Sequence, residues 1–399
     1  MTDWGSFIWE HREDNPGKLA LSAKKHPDWP MGFIARQVEA LQKVCRKIPA
    51  WYREGVFFPV ALSLEQASSE ATARFKASLF SGKKMADLTG GLGVDAYFFS
   101  EKFNQVFFVE KIPAILDAAR HNFNLFGQSN VVFVQEQAET FLVNSPQYFE
   151  LIYLDPARRD EVKGKVFQLA DCSPDVVALK DLLLSWADQV LVKTAPMLDI
   201  HQALKQLKNV AAVWVVEYDG DCREVLYLLE KKALCLEHIP IHVVSLYHSG
   251  QVEHAFDFTF QEEQQTTIEY ASTGNFLYEP MPSLLKAGAF KTFASRFGLK
   301  KIHPNTHLYT SDQYIPHLPA RSFRVQAVCK YDKKIVSTFV PEGSANISTR
   351  NFPDNPALVR KKLGLLEGGN TFIFAATDGA NNKLLFICSK VSQGRPSVL

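Results

Sequence analysis

The chain has 399 residues, enough for two or three domains with cores of their own. Hydrophobic residues make up 46% and charged residues 22%, and 44 Lys and Arg face 43 Asp and Glu, so this is a globular protein and not a bulk polycation. Any nucleic-acid surface must therefore be local. No apolar run approaches the ~20 residues of a membrane span. Asp3, Glu10 and Glu13 among the first aromatics exclude a signal peptide. The cysteines at 45, 172, 222, 235, 329 and 388 form no Cys-x-x-Cys pair and no metal-ligand spacing. They read as core thiols in a reducing cytoplasm, with no metal site.

Residues 1–80 are predicted to be helical. Gly32 to Ile48 places Ile34, Val38, Leu41, Val44, Cys45 and Ile48 on one face, and Pro49 closes that helix. A second helix is expected from Ser63, with Gln66 completing a capping-box pattern, through to Gly82. Its small residues suit close packing.

From Met85 to about Lys232, short apolar runs alternate with helical stretches, the pattern of a parallel sheet with crossover helices. The expected strands are Met85–Leu88, Val106–Val109, Val131–Val134, Leu151–Leu154 and Val190–Val192. A helix is expected from Ala96 to Phe103. Val210–Val216 and Val225–Leu229 have no room for a helix between them, so they should close the sheet as an antiparallel hairpin. A dinucleotide domain would end in a further parallel crossover instead.

Beyond Pro240 the texture becomes strand-rich: Ile241–Leu246, Ala255–Phe260 and Thr267–Tyr270, then a helix from Ser283 to Phe297 ended by Gly298. Strands are expected at Arg324–Lys330 and Ile335–Val340. A helix then follows, with Asn355 as cap, Pro356 at its first position and Gly364 as stop. Phe372–Ala376 and Lys383–Ser389 finish the chain as strands. This describes two small α+β modules.

The chemistry concentrates after the first and fourth strands. In Ala86-Asp87-Leu88-Thr89-Gly90-Gly91-Leu92-Gly93-Val94-Asp95, a glycine-rich turn joins strand to helix, where a ligand can approach the backbone closely. Asp87 disfavours a pyrophosphate there and suits a positively charged ligand such as the amino group of S-adenosylmethionine. Gly91-x-Gly93-x-x-Ala96 also fits a dinucleotide fingerprint, so an NAD-linked oxidoreductase is the rival. Glu110, at the end of the second strand, can accept both ribose hydroxyls of either cofactor. Gln135, Glu136 and Gln137 follow the third strand, where an adenine amino group would lie.

The fourth strand ends in Leu154-Asp155-Pro156-Ala157-Arg158-Arg159-Asp160. Pro156 fixes the loop exit and biases Asp155 to extended geometry, so that its carboxylate faces the cleft. Arg158 and Arg159 suit phosphate recognition. Lys193-Thr194-Ala195-Pro196-Met197 borders the same cleft, whereas Tyr218 to Glu224 is a structural hairpin turn. Lys286, Lys291, Arg296, Lys300 and Lys301, then Arg350, Arg360, Lys361 and Lys362, give the C-terminal part local basic surfaces suited to a phosphate backbone.

DLTGGLGVD, FVEK, YLDPARRD and ADCSPDVVAL resemble a group of bacterial class I S-adenosylmethionine-dependent methyltransferases. These carry a helical N-terminal region and, after the catalytic domain, a ferredoxin-like and a THUMP-like module. The resemblance implies an α/β fold with a Rossmann-like seven-stranded sheet whose last two strands form a hairpin. Its implied boundaries are a helical domain at 1–80, a methyltransferase domain at 81–236, a ferredoxin-like module at 237–318 and a THUMP-like module at 319–399.

It also implies S-adenosyl-L-methionine contacts at Asp87, Thr89, Gly90, Gly91, Gly93, Glu110, Lys111 and Gln137. Because THUMP domains accompany RNA-modifying enzymes, it implies a tRNA or rRNA substrate, with no membrane partner and a cytoplasmic location. Asp155, Pro156, Arg158 and Arg159 are the candidate catalytic residues. A nucleobase nitrogen is the expected acceptor, although amino-methylating relatives have Pro-Pro and an aromatic where this chain has Pro156-Ala157-Arg158. The remaining alternative is a non-catalytic RNA-binding protein with a vestigial cofactor fold.

Overall fold

A computed structural model describes residues 4–59, 61–144, 147–158 and 168–391. The chain divides into two units, Met1–Ile239 with Val244–Glu253, and Pro240–Val243 with His254–Leu399.

The first unit opens with α1 (Trp4–Glu10), α2 (Pro16–Leu21) and α3 (Met31–Lys47). Ile34, Val38, Leu41 and Val44 form the buried stripe of α3, but Cys45 falls outside it and is exposed. The single helix expected from Ser63 to Gly82 is two helices, α4 (Ala61–Gln66) and α5 (Glu70–Ser78). Ser69 causes the break: its side chain accepts from the Thr72 N–H and caps α5, a local bond that competes with helix continuation.

The sheet follows as β1 (Gly82–Asp87), α6 (Val94–Ser100), β2 (Phe103–Val109), α7 (Pro113–Leu125), β3 (Val131–Val134), α8 (Ala138–Asn144) and β4 (Phe149–Leu154). Two short strands, β5 (Ala157–Arg158) and β6 (Cys172–Ser173), pair after β4. Then come α9 (Val176–Trp186), β7 (Ala187–Thr194), α10 (Ile200–Leu207), β8 (Val210–Tyr218) and β9 (Asp221–Glu230).

The strands lie in the order β8-β9-β7-β4-β1-β2-β3, with β9 antiparallel to both β7 and β8. The terminal hairpin read from sequence is therefore present, and no parallel crossover closes the sheet as a dinucleotide domain would require. Asp219 and Gly220 both take positive φ, 57° and 75°, as the tight turn between β8 and β9 demands. A further hairpin follows, β10 (Ile241–Leu246) and β11 (Val252–Phe258), whose turn half belongs to this unit. One apolar core joins α3 and α5 to β1, β2, α6 and α7. Asn122 ties that core together, its side-chain amide bonding both the N–H and the carbonyl of Phe57.

The second unit contains α11 (Phe260–Gln265), β12 (Phe276–Pro280), α12 (Pro282–Ala287), α13 (Phe290–Arg296), β13 (Lys300–His303), β14 (Thr306–Ser311) and β15 (Ala320–Lys330). It ends with α14 (Lys333–Phe339), β16 (Asn346–Arg350), α15 (Pro356–Leu363), β17 (Thr371–Thr377) and β18 (Lys383–Lys390). These strands make one sheet in the order β13-β14-β12-β15-β18-β17-β16. The long β15 pairs with β12 on one side and β18 on the other, so both α+β modules share a single sheet.

Four expectations change here. The helix expected from Ser283 to Phe297 breaks at Gly288, whose φ of 81° ends α12. The strand expected at Ile335–Val340 is helix α14, because the Asp332 side chain accepts from the Lys334 and Ile335 N–H groups. Thr267–Tyr270 contributes only a bridge from Tyr270 to Lys301. The strand expected to run to Phe260 stops at Phe258, where Thr259 caps α11. The cap at Asn355, Pro356 at the first position and the stop at Gly364 of α15 stand as read.

Candidate functional site

The C-terminal ends of β1, β2, β3, β4 and β7 open into a cleft of about 1000 Å³ in the first unit. Its walls include every predicted cofactor residue: Asp87, Thr89, Gly90, Gly91, Gly93, Glu110, Lys111 and Gln137. Asp155, Pro156 and Arg158 line it as well, whereas Arg159 lies outside the described residues.

The glycines of the turn serve two purposes. A Cβ on Gly90 would come 2.4 Å from the Phe108 ring, and one on Gly93 2.7 Å from Phe123, so these two allow the turn to pack on β2 and α7. Gly91 differs. Its φ is +55°, and the nearest atom to an added Cβ is the Thr89 carbonyl at 3.7 Å, so the space beside it is open for a ligand.

Glu110 holds this turn from the next strand. One carboxylate oxygen accepts from the Gly91 N–H at 3.0 Å and the other from the Ile112 N–H at 2.8 Å. At the end of β3, Gln137 is exposed, while Glu136 is half-buried with one oxygen that has no hydrogen-bond partner among the described residues. A buried acceptor without a donor is costly unless something fills the cleft. Of the three polar residues that follow β3, Gln135 and Gln137 are exposed and Glu136 carries the buried oxygen.

Asp87 is 1% exposed. Burial, and then the charges of Asp95 and Asp155, push its carboxyl up to about 8 from an ordinary 3.8, against the Thr89 N–H that donates to it at 3.0 Å. An arriving cation would favour its ionised form. Thr89 links the two ends of the cleft, since its hydroxyl oxygen also accepts from the Asp155 N–H at 2.7 Å.

Sequence reading placed Lys193 at the border of this cleft but missed the charges that surround it beneath the acceptor end. Lys193 donates to Asp155 Oδ2 at 2.5 Å and is 9% exposed. Lys76, from α5, is fully buried and donates to both oxygens of Glu224 at 2.7 Å. It also lies 3.3 Å from Asp95, whose other oxygen accepts from Tyr153 at 2.7 Å and from Ser68 at 2.8 Å. Burial alone would keep Asp95 protonated, but Lys76, Lys193 and these hydroxyls hold its carboxyl below the ordinary range. Lys193 is likewise opposed by burial, yet Asp155, Asp95 and Glu224 keep it an ammonium. An amphipathic-pattern scan could not find Lys76, because its small-residue helix gave no sign that a cation faced inward.

The basic series of the second unit is largely engaged. Arg296 pairs with Glu262, Lys300 with Glu269, Arg350 with Glu279, Arg360 with Glu367 and Lys362 with Asp354, while Lys301 is buried. Of the six cysteines, all free, only Cys172 and Cys388 are buried, which corrects their reading as core thiols.

Residues 276–319 match a ferredoxin-like domain family and residues 320–390 a THUMP domain-like family. The crystal structure of a candidate methyltransferase from Porphyromonas gingivalis W83 is 31% identical, covers 98% of each chain and superposes with a TM-score of 0.86. Uncharacterized S-adenosylmethionine-dependent methyltransferases from two strains of Mycobacterium tuberculosis are 23% identical over 306 residues, 76% of this chain and 80% of theirs.

Proposed function

The chain belongs to the bacterial class I S-adenosylmethionine-dependent methyltransferases that end in ferredoxin-like and THUMP-like domains, and from that premise we propose that it methylates RNA in the cleft described above. The observation that carries this reading is the continuity of that cleft, which joins the Gly91 turn to Asp155 and Arg158.

The lining fits the cofactor. Open space beside Gly91 leaves room for it, and Glu136 offers the unpaired acceptor an adenine amino group requires. Glu110 would take the ribose hydroxyls, and Asp87 would face the amino group. Thr89, Gly90, Gly93, Lys111 and Gln137 would shape the rest of that end. When bound, S-adenosylmethionine supplies a methyl carbon made electrophilic by its sulfonium. Asp155, oriented by Thr89 and Lys193, would hold the acceptor group, so catalysis rests mainly on positioning. Arg158 is exposed at the cleft and would contact substrate phosphate, a role equally suited to Arg159.

Support for RNA as the acceptor comes from the THUMP domain-like match and from these arginines. The paired basic residues of the second unit add less than their sequence suggests.

The test is methyl transfer from labelled cofactor, by the full-length protein, into total RNA from cells lacking the gene. Label should enter that RNA and not RNA from cells that keep the gene. Calorimetric binding of S-adenosylmethionine without any labelling of RNA would remove RNA as the acceptor.

A further inference from the structure

Five charged side chains from five places in the fold meet under the acceptor end: Lys76, Asp95, Asp155, Lys193 and Glu224. So far only Asp155, and Lys193 as its partner, have a role. Lys76 neutralises Glu224 and reaches Asp95, each within 3.3 Å or less. Lys193 lines the cleft alongside Lys111, Arg158 and Arg223 and is fixed on one oxygen of Asp155. An ammonium held this way, with little water around it, keeps most of its electrostatic effect on a neighbouring atom.

The sign of that charge discriminates between acceptors. A nitrogen attacking the methyl group gains positive charge as its bond forms, which the Asp155 carboxylate favours and the Lys193 ammonium opposes, so the pair gives it little net help. A hydroxyl oxygen loses its proton as it attacks and gains negative character, which the same ammonium stabilises.

Resting on the RNA reading above, we infer that the acceptor is a ribose hydroxyl rather than a nucleobase nitrogen, with Lys193 as a catalytic residue that stabilises its oxygen. The hydroxyl oxygen forms a bond to the methyl carbon, and the carbon–sulfur bond breaks with its electron pair left on sulfur. The hydroxyl proton passes to the Asp155 carboxylate and from there to water. Lys193 remains an ammonium throughout, so no further oxidant, reductant or base enters. Asp95 is a positioning residue that holds Tyr153, and Lys76 holds Asp95 and Glu224 beside it.

Alkaline hydrolysis of the labelled RNA reads out the acceptor atom. A methylated ribose hydroxyl can no longer attack the adjacent phosphodiester, so its label survives in alkali-stable dinucleotides, and this is the expected result. Label recovered in mononucleotides would overturn the inference and leave RNA as the substrate class. Absence of label from RNA would overturn both.

Lys193→Met should lower transfer by about a hundredfold, the scale of one lost donor to a developing oxyanion. Its affinity for S-adenosylmethionine, measured by calorimetry, should stay within about threefold of the parent, because the residue acts at the acceptor end. Lys193→Arg should regain part of the lost rate, since the charge returns with altered shape. Unchanged turnover in folded Lys193→Met, or loss of its cofactor affinity, would overturn the assignment.

Discussion

The two ends of the cleft are built on opposite plans. The cofactor end comes from a contiguous run, Asp87 to Gly93, held by one carboxylate from the next strand. Its contacts are mostly backbone, and its buried acid, Asp87, has no cation on it among the described residues. The acceptor end instead gathers side chains from α5, α6, β7, β9 and the loop after β4, and its carboxylates are countered by lysines. The difference is one of preparation. The first end is electrically incomplete until a cation arrives, and the second carries its own fixed charges.

The largest expected effect tests the backbone plan. Gly91→Val adds a branched side chain at φ +55° and fills the space beside the turn. Strain of about 1–3 kcal/mol and direct overlap should together weaken S-adenosylmethionine binding by about a hundredfold or more, measured by calorimetry. Near-parental affinity would mean that the cofactor does not approach this turn.

Removing a charge at the other end should cost stability instead. Lys76→Met leaves Glu224 buried without its cation, a loss of about 3–5 kcal/mol. Urea unfolding of the full-length protein measures it, and a loss well under 1 kcal/mol would show that the network is not held together by Lys76.

Asp155→Ala should separate the ends kinetically. Turnover should fall about tenfold to a hundredfold, for one charged hydrogen bond worth about 1.5–3 kcal/mol, while cofactor affinity changes only a few fold. Steady-state transfer and calorimetry on the same preparation decide it. Full turnover in the folded variant would move the acceptor site elsewhere.

A separate effect, one of pH, concerns Asp87, and its sign follows from its raised carboxyl. The folded chain keeps a proton up to about pH 8 that the unfolded chain releases near 3.8. The stability this contributes is complete below about pH 4 and is lost as the pH rises through about 8. The ligand-free protein should therefore lose thermal stability across that window, and Asp87→Asn should flatten the loss. Thermal unfolding of both proteins against pH gives the comparison.

The same contrast explains what could be read from the chain. The Gly91 turn, Glu110, Asp155 and the terminal hairpin were all legible, because each is a short local pattern with a fixed consequence for the backbone. The acceptor network was not, because Lys76, Lys193 and Glu224 become neighbours only when the sheet closes. Errors in secondary structure have a related cause. Ile335-Val336-Ser337-Thr338-Phe339-Val340 is rich in β-branched residues and reads as a strand, yet the cap at Asp332 and burial of Val336 and Val340 one turn apart make it helical. In the second unit, β12, β13, β14 and β16 carry too few alternating apolar residues to stand out, and pairing with long neighbours defines them.

The pair between Lys76 and Glu224 spans 148 positions of sequence. During synthesis at about 5–20 residues per second, α5 leaves the ribosome roughly 7–30 s before the strand that neutralises its buried ammonium exists. Throughout that interval Lys76 has Asp95 within its native reach but lacks the carboxylate it bonds through both oxygens. The charge cluster under the acceptor end is therefore the last part of this unit that the growing chain can complete.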